Sequence, residues 1–463
     1  MNRITNELKN KNICILGYGR EGQSTLRWIR KYFYHDIKSL TIADQNPSVL
    51  HGEDLDNFPC DLKYGYDYLS GIDKYDIIIK SPGINLMKTE EFIPEDKITS
   101  QSDIFLQEFG GQCIGVTGTK GKSTTSTLIY SMLLASGKKT LLLGNIGDPP
   151  LNYWEQIDDC TTVVFELSSH QLEHIERGPA IALLLNLFQE HLDHYMNFRH
   201  YQLAKFKITL KQADNATLIT HFADKRIQRL IDETEIHRDV LFFSLERHNH
   251  DGMYLDGDNI IYSRKDEKIV FADYTKLEYL KGKHNVLNIM AAALASIQVG
   301  CEIPVLRQAV YNFRGLQHRM EYIDTKQGIS FYNDSIATIP EATMAAVEAL
   351  GNVGTLILGG FDRGVDYSDL AEFLHYAELD HIIFMGPAGE RILELMEKFR
   401  NDISVKFFQT DSLATAIEYA RKNTPQGKIC LLSPAASSYD KFRNFAEKGD
   451  AFRKLVSEIP DKN

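Results

Sequence analysis

The sequence predicts an α/β protein of three successive segments, each a largely parallel sheet covered by helices. Three observations predict it. Short apolar runs recur along the chain, most of them followed by a polar or glycine-bearing turn and then a helical stretch. A GxGxxG turn, Gly17-Tyr18-Gly19-Arg20-Glu21-Gly22, follows the first run. A second glycine-rich turn, Gly118–Thr124, follows a later one.

Residues 1–105 form the first segment. Strand 13–16 leads through the GxGxxG turn into a helix, strand 40–43 ends at Asp44, and strand 76–80 ends at Ser81-Pro82-Gly83. That order describes a Rossmann-like unit. Residues 106–314 form the second, P-loop-type segment. Strand 113–117 meets the glycine-rich turn, and further strands are predicted at 140–143, 162–167 and 181–187. Residues 241–275 read as a polar excursion of hairpins, and 285–299 as a largely buried helix. Residues 315–463 form a second Rossmann-like segment, with strands at 355–358, 381–385, 405–408 and 428–432 alternating with helices. No internal repeat is visible.

Composition narrows the function. The chain has 463 residues, 43% of them hydrophobic and 25% charged, the balance of a globular protein with an ample core. A formal net charge of −12 argues against a general nucleic-acid binder, because phosphate backbones attract basic surfaces. Six scattered cysteines without a CxxC pair, most of them in apolar runs, read as buried free thiols in a reducing compartment. The opening MNRITNELKNKN lacks the apolar core of a signal peptide, and no run is long enough to span a membrane. A cytoplasmic protein is expected.

The loop Gly118-Thr119-Lys120-Gly121-Lys122-Ser123-Thr124 carries the strongest chemical signal. Backbone N–H groups in such a turn, and the helix dipole behind it, favour phosphate. Lys122 would reach the β- and γ-phosphates, and Ser123 would offer its hydroxyl to Mg²⁺. The strict pattern is not met, because Val116 stands where the first glycine belongs; an ordinary strand–turn–helix junction is the competing reading. The GxGxxG turn is weaker, since it suits a dinucleotide, any diphosphate, or nothing. With ATP on the central loop, the first segment fits a nucleotide-linked substrate, with Asp44 placed as a ribose-binding acid might be.

Further candidates follow the strands. Glu166, near the end of a buried strand, needs a partner or a metal; a salt-bridged or capping Glu is the alternative. The run 186–195 gathers Glu190, His191, Asp193 and His194 just past a strand. Lys205 follows, and could be a plain surface lysine. Asn285 and Asn288 lie three apart at a helix start and could read adenine edges. Arg319 and Asp334 flank the start of the third segment and suit a γ-phosphate and a ribose contact, or structural roles.

Taken together these stretches resemble the Mur ligase family. The resemblance rests on Ser81-Pro82-Gly83-Ile84, Gly118–Thr124, Gly144-Asn145-Ile146-Gly147, Glu166-Leu167-Ser168-Ser169, Glu190-His191-Leu192-Asp193, His284–Asn288, Asn333-Asp334-Ser335, Gly359-Gly360 and Leu432-Ser433-Pro434-Ala435. Within that family the Asn-Asp-Ser and Ser-Pro-Ala stretches resemble the glutamate-adding branch. The resemblance implies an ATP-dependent carboxylate–amine ligase that adds glutamate to UDP-N-acetylmuramoyl-L-alanine through an acyl phosphate, with small-molecule substrates and a monomeric state. It implies domains for the UDP-sugar, for ATP and for the amino acid, in that order. Lys122, Glu166, His191 and Lys205 are then the catalytic group. Ser123 and Glu166 would serve a first Mg²⁺; His191 and Lys205, the latter carbamylated by CO₂, would serve a second. Gly17, Tyr18, Gly19, Asp44, Ser81 and Asn145 would face the UDP-substrate. The turn 118–124 with Asn285, Asn288, Arg319 and Asp334 would face ATP. Thr338, Arg363, Ser438 and Phe445 would surround glutamate.

The chain departs from the family pattern in two places. The usual Asn-Asp-Ser-Lys-Ala-Thr-Asn is here Asn333-Asp334-Ser335-Ile336-Ala337-Thr338-Ile339, so a cation and an amide have become isoleucines. Arg363 stands where a lysine often meets a glutamate carboxylate, and its planar fork binds differently from a point charge. D-glutamate is the favoured acceptor, with L-glutamate followed by a separate epimerase as the alternative. A different amide ligase of the family and a nucleotide-hydrolysing switch are the remaining readings.

Overall fold

The computed structural model describes residues 7–47, 55, 59–86, 92–145, 149–190, 194–234, 236, 239–265, 267–277, 280, 282–315, 317–398, 405–438 and 441–461. The chain forms two compact units, Met1–Phe313 and Arg314–Asn463. The first holds two sheets and the second holds one.

In the first unit, β1 (Asn12–Leu16), β2 (Ser39–Asp44), β3 (Asp61–Tyr64), β4 (Ile77–Lys80) and β5 (Ile98–Thr99) form a sheet in the order β3-β2-β1-β4-β5. Every pairing is parallel. Helix α1 (Arg20–Tyr32) follows the GxGxxG turn, and α2 (Gln101–Phe109) leads towards the next sheet.

The second sheet contains β6 (Cys113–Thr117), β7 (Thr140–Gly144), β8 (Thr162–Glu166), β9 (Ile181–Leu184), β10 (Thr217–His221), β11 (Asp239–Ser244), β12 (Gly252–Asp256), β13 (Asn259–Arg264) and β14 (Glu267–Asp273), in the order β14-β13-β12-β11-β10-β9-β6-β8-β7. Its helices are α3 (Lys122–Ala135), α4 (Ser169–Leu172), α5 (Phe198–Leu210), α6 (Lys225–Thr234), α7 (Lys283–Gln298) and α8 (Ile303–Asn312). Strand β6 is buried at all five positions, as a central parallel strand covered on both faces must be. Of the predicted polar excursion of hairpins at 241–275, the hairpins are present, β12 with β13 and β13 with β14, but the stretch is not an excursion. Strand β11 pairs in parallel with β10, β12 with β11, and only β13 and β14 add antiparallel pairings, so this stretch extends the main sheet. The stretch ends at an edge of the sheet: β14 exposes Glu267, Lys268, Ile269 and Val270 in succession.

A hydrophobic core runs without interruption between these two sheets. Ile13, Ile15 and Trp28 of the first join Val163, Phe165 and Leu184 of the second, with Trp28 and Trp154 in tilted ring contact. Polar bonds cross the same boundary, from Gln171 Nε2 to Glu21 Oε1 at 2.9 Å and from Lys80 Nζ to Glu173 Oε2 at 3.1 Å.

The second unit has the order β15-β16-β20-β17-β18-β19 from β15 (Glu321–Lys326), β16 (Ile329–Asn333), β17 (Val353–Gly359), β18 (His381–Met385), β19 (Lys406–Gln409) and β20 (Ile429–Leu432). Only the β15/β16 pair is antiparallel. Helices α9 (Pro340–Leu350), α10 (Ser368–Tyr376), α11 (Gly386–Glu397), α12 (Leu413–Asn423) and α13 (Phe445–Ser457) complete it. Of the six cysteines, Cys14, Cys113, Cys301 and Cys430 are buried free thiols as expected, and the expectation is corrected at Cys60, which is half-buried, and at Cys160, which is exposed.

Close packing sets one glycine in α13. A Cβ at Gly449 would fall on His318 Nδ1 and Ser335 Oγ, and within 2.8 Å of Asn333 Nδ2. In an open helix, Gly→Ala stabilises by about 1 kcal/mol. Here the added methyl overpacks, so Gly449→Ala should lower stability by about 1–3 kcal/mol in urea unfolding. A stabilised variant would refute this packing.

Candidate functional site

The site is built on the carboxyl ends of four adjacent parallel strands, where open α/β sheets bind ligands. The turn at 118–121 follows β6, Glu166 ends β8, Asn145 follows β7, and Asn186 follows β9. The glycines are there for geometry. Gly118 has φ +151° and would bring a Cβ within 2.9 Å of Leu185 Cβ; Gly121 has φ +86° and would meet Asn288 Oδ1 at 2.5 Å. Helix α3 begins at Lys122, its N-cap Gly121 supplies no side-chain cap, and the positive end of its dipole favours an anion.

The loop is braced from below and from the side. Asn186 makes a reciprocal pair with Lys120, accepting from its N–H and donating to its carbonyl, both at 2.9 Å. The Thr119 and Tyr201 hydroxyls meet at 2.9 Å, and Lys120 forms an ion pair with Glu190 at 2.6 Å. Thr125 Oγ1 donates to Asn288 Oδ1 at 3.3 Å, and Asn288 Nδ2 donates to Asn285 Oδ1 at 3.3 Å. Asn288 is thus largely spent on supporting Gly121 and α3, and Asn285 is the more accessible of the two.

Two lysines converge on one carbonyl. Lys122 Nζ donates to Gly118 O at 3.0 Å and Thr119 O at 3.1 Å, and Lys205 Nζ donates to the same Gly118 O at 3.0 Å. Lys205 is only 2% exposed and lies 5.0 Å from the Tyr201 ring centre. Burial first, and then the neighbouring Lys122 charge, pull its amine down to about 7. Lys205 is therefore not a surface lysine.

Glu166 is buried beside the loop, opposite Val116 in the β6/β8 register. Its Oε1 accepts from Asn145 Nδ2 at 2.9 Å, while Oε2 is buried with no hydrogen-bond partner among the described residues. An orphaned carboxylate oxygen next to a hydroxyl-bearing phosphate loop fits a hard divalent cation. His191 lies outside the described residues.

The GxGxxG turn, Asp44 and Ser81 also come together. Gly17 has φ +90°, and a Cβ there would lie 2.8 Å from that of Ser81. Ser81 Oγ donates to Gly17 O at 2.9 Å. Asp44 accepts from Tyr18 N at 2.7 Å and from Asn46 N at 2.8 Å, so both its oxygens already hold the turns around it. Gly19 is the exposed N-cap of α1 and offers no side-chain cap.

In the second unit, Arg363 Nη2 donates to Thr338 O at 3.2 Å, joining two of the four glutamate-site candidates. Ser438 Oγ is buried without a hydrogen-bond partner among the described residues, and its neighbour Ser437 bridges to Phe361. Phe445 packs against His318, with ring centres 6.1 Å apart. Arg319 is exposed between His318 (φ +65°) and Met320 (φ +41°), both left-handed. Asp334 holds this strained turn, accepting from Met320 N at 3.0 Å and from Ser433 Oγ at 2.7 Å; burial lifts its carboxyl to about 6.

Several participants escaped the sequence reading. Tyr201 braces the loop one turn before Lys205, and Lys448, 2% exposed, donates to Gly359 O at 2.9 Å near the candidate glutamate residues. Lys80, a charge closing the run Ile77-Ile78-Ile79, carried the same signal as Glu166 and was overlooked.

The chain matches the Mur ligase middle domain over residues 116–296 and the Mur ligase glutamate ligase domain over residues 318–436. It is 30% identical over 460 residues to the UDP-N-acetylmuramoylalanine–D-glutamate ligase of Clostridium botulinum, covering 98% of each chain. It is also 30% identical to the ligase of that name from Acetivibrio thermocellus, covering 99% of each. Its fold is similar to that of MurF from Acinetobacter baumannii, with a TM-score of 0.51 and 18% identity over 77% of this chain and 79% of that one. The chain belongs to the Mur ligase family and is an ATP-dependent ligase.

Proposed function

We propose that this ligase joins glutamate, with D-glutamate favoured, to UDP-N-acetylmuramoyl-L-alanine in the cytoplasm, as a monomeric step of peptidoglycan precursor synthesis. The observation that carries the chemistry is the convergence of Lys122 and Lys205 on the Gly118 carbonyl, at an uncapped helix start beside the orphaned oxygen of Glu166. The names of the full-length relatives support the substrates.

A carboxylate is a poor acyl donor. In the proposed reaction it attacks the γ-phosphorus of ATP, releasing ADP and leaving an acyl phosphate. The glutamate amine then attacks the acyl carbon, expels phosphate and loses a proton to give the amide. The α3 N–H groups and Lys122 hold the phosphates and offset charge on the phosphoryl group in transfer. Ser123 and Glu166 would hold one Mg²⁺, and His191 with carbamylated Lys205 a second; bound magnesium supplies charge neutralisation at the phosphates. Gly17, Tyr18, Gly19, Asp44, Ser81 and Asn145 would receive the UDP-substrate. Asn285, Arg319 and Asp334 would face the nucleotide, with Asn288 behind the loop. Thr338, Arg363, Ser438 and Phe445 would receive glutamate.

Phosphate release from ATP should depend on both UDP-N-acetylmuramoyl-L-alanine and glutamate, and Lys122→Ala should lower it by roughly 10²–10³-fold. Acceptor-independent hydrolysis would favour a nucleotide switch instead.

Ile336 and Ile339 favour a second reading, addition of L-glutamate, because the side chains that usually line the acceptor site are apolar here. Separate assays with each enantiomer decide between them. Turnover with D-glutamate alone is expected, and turnover with L-glutamate alone would establish the alternative.

For Lys205, the reactive species is the neutral amine. Its nitrogen bonds to the carbon of CO₂ and one proton leaves, turning a neutral amine beside Lys122 into an anion. With the amine titrating near 7, that neutral form prevails above this pH and declines below it. Protein stripped of CO₂ should lose activity and regain it with bicarbonate more completely above about pH 7 than below. A ¹³C carbamate resonance should appear in the wild type and be absent from Lys205→Ala; its absence from both would remove the modification.

A further inference from the structure

Outside this site, the first unit gathers a second set of ligating side chains. His170, Glu173 and His194 each bring one ligand atom within 4.8 Å of the other two. His170 and Glu173 are three apart on the turn of α4 and its C-cap, so helical spacing sets them on one face. His194 reaches the same face from the segment that leads into α5. Its Nε2 stands 2.7 Å from Glu173 Oε1, and the two imidazoles meet edge to face with centres 4.2 Å apart.

We propose that His170, Glu173 and His194 form a site for one transition-metal dication of the zinc type, distinct from the magnesium that accompanies ATP. Two imidazoles and a carboxylate are the donor set that zinc accepts in three-ligand sites, and magnesium prefers an all-oxygen shell. Ligand atoms bound at about 2.0–2.2 Å around a tetrahedral ion stand a little over 3 Å apart, so the His194–Glu173 contact needs to open only slightly. The other carboxylate oxygen is already held by Lys80 Nζ at 3.1 Å, which leaves Oε1 as a monodentate ligand. His174 Nε2 lies 3.8 Å from that same held oxygen. A fourth position is open. Glu173 and His194 form part of the wall of a 410 Å³ cavity that also presents Lys80, Tyr195 and His200, with room for water or a ligand atom. An ion here ties the turn after Glu166 to the segment before α5, the helix that carries Lys205.

The test uses full-length protein freed of metal with a chelator and titrated with Co²⁺. One equivalent should bind with the visible absorption of a tetrahedral ion, be displaced by Zn²⁺, and resist a large excess of Mg²⁺. His170→Gln and His194→Gln should each weaken binding by roughly tenfold or more, whereas Cys160→Ser, at the exposed thiol, should not. Equal affinity in the double glutamine variant would overturn the proposal, as would displacement by Mg²⁺. If the glutamine variants are less stable, unfolding still discriminates. Zn²⁺ should raise the wild-type midpoint by a few degrees and leave theirs unchanged, and an equal rise in both would also overturn it.

Discussion

The arrangement of the site depends on the Gly118 carbonyl. It takes up one lysine from the start of α3 and one from the middle of α5, and both amines sit 3.0 Å from the same oxygen. Two full positive charges so close, one of them buried, would repel strongly at low effective dielectric. The conflict eases when Lys205 gives up its proton, and burial, followed by the Lys122 charge, lowers its titration to about 7. A neutral amine still donates a hydrogen bond, so the geometry survives the loss of charge. The same loss leaves a free lone pair on nitrogen, which a protonated lysine lacks. What eases the charge conflict in the fold and what the proposed carbamate would need for its formation are therefore one condition.

That condition propagates outward. Lys205 can be 2% exposed only because α5 is pressed onto the loop, with Tyr201 one turn earlier meeting Thr119. The loop can lie against the end of β9 only because Gly118 leaves room for Leu185. On the opposite side Gly121 leaves room for Asn288, whose amide ties α3 to α7. Any side chain at either glycine would push apart elements that are packed on buried apolar residues, including Leu128, Ile129, Val286 and Ile289. Loop chemistry and core packing are held by the same contacts.

How much of this was legible in the sequence follows from the range of each interaction. The strand at 113–117, the turn after it and the helix at 283–298 are set by apolar periodicity and glycine within a short window, and they were readable. Strand β3 was harder to place, because this edge strand exposes polar residues and lacks the apolar run that marks a central one, whereas β19, with Phe407 and Phe408, was readable at 405–408. In the stretch 241–275 the hairpins were readable, but their polar composition hid that they continue the main sheet to its margin. Lys205 and Lys448 were opaque in another way. Each sits among ordinary helical neighbours, and its burial comes from an element far away in sequence, Gly118 for one and Gly359 for the other. Asn288 was readable as an important amide, while its brace against Gly121 depended on tertiary contact.

Three acids show where a sequence signal divides. Asp44, Glu166 and Asp334 all stand at or just after the end of a strand, and from sequence all three looked like ligand-binding groups. The structure separates them by their partners. Asp44 is satisfied by two backbone N–H groups, and Asp334 by one backbone N–H and the Ser433 hydroxyl. Both therefore work first as braces, the second holding the strained turn that presents Arg319, and either would contact a ribose only with lone pairs left over. Glu166 receives one amide from Asn145 and nothing on its other oxygen among the described residues. Burying that oxygen unpaired costs free energy in the folded chain, and a cation recovers it. An acid at a strand end is thus only a candidate; an unfilled oxygen beside a phosphate loop makes Glu166 the one whose unmet bonding points outward to a ligand.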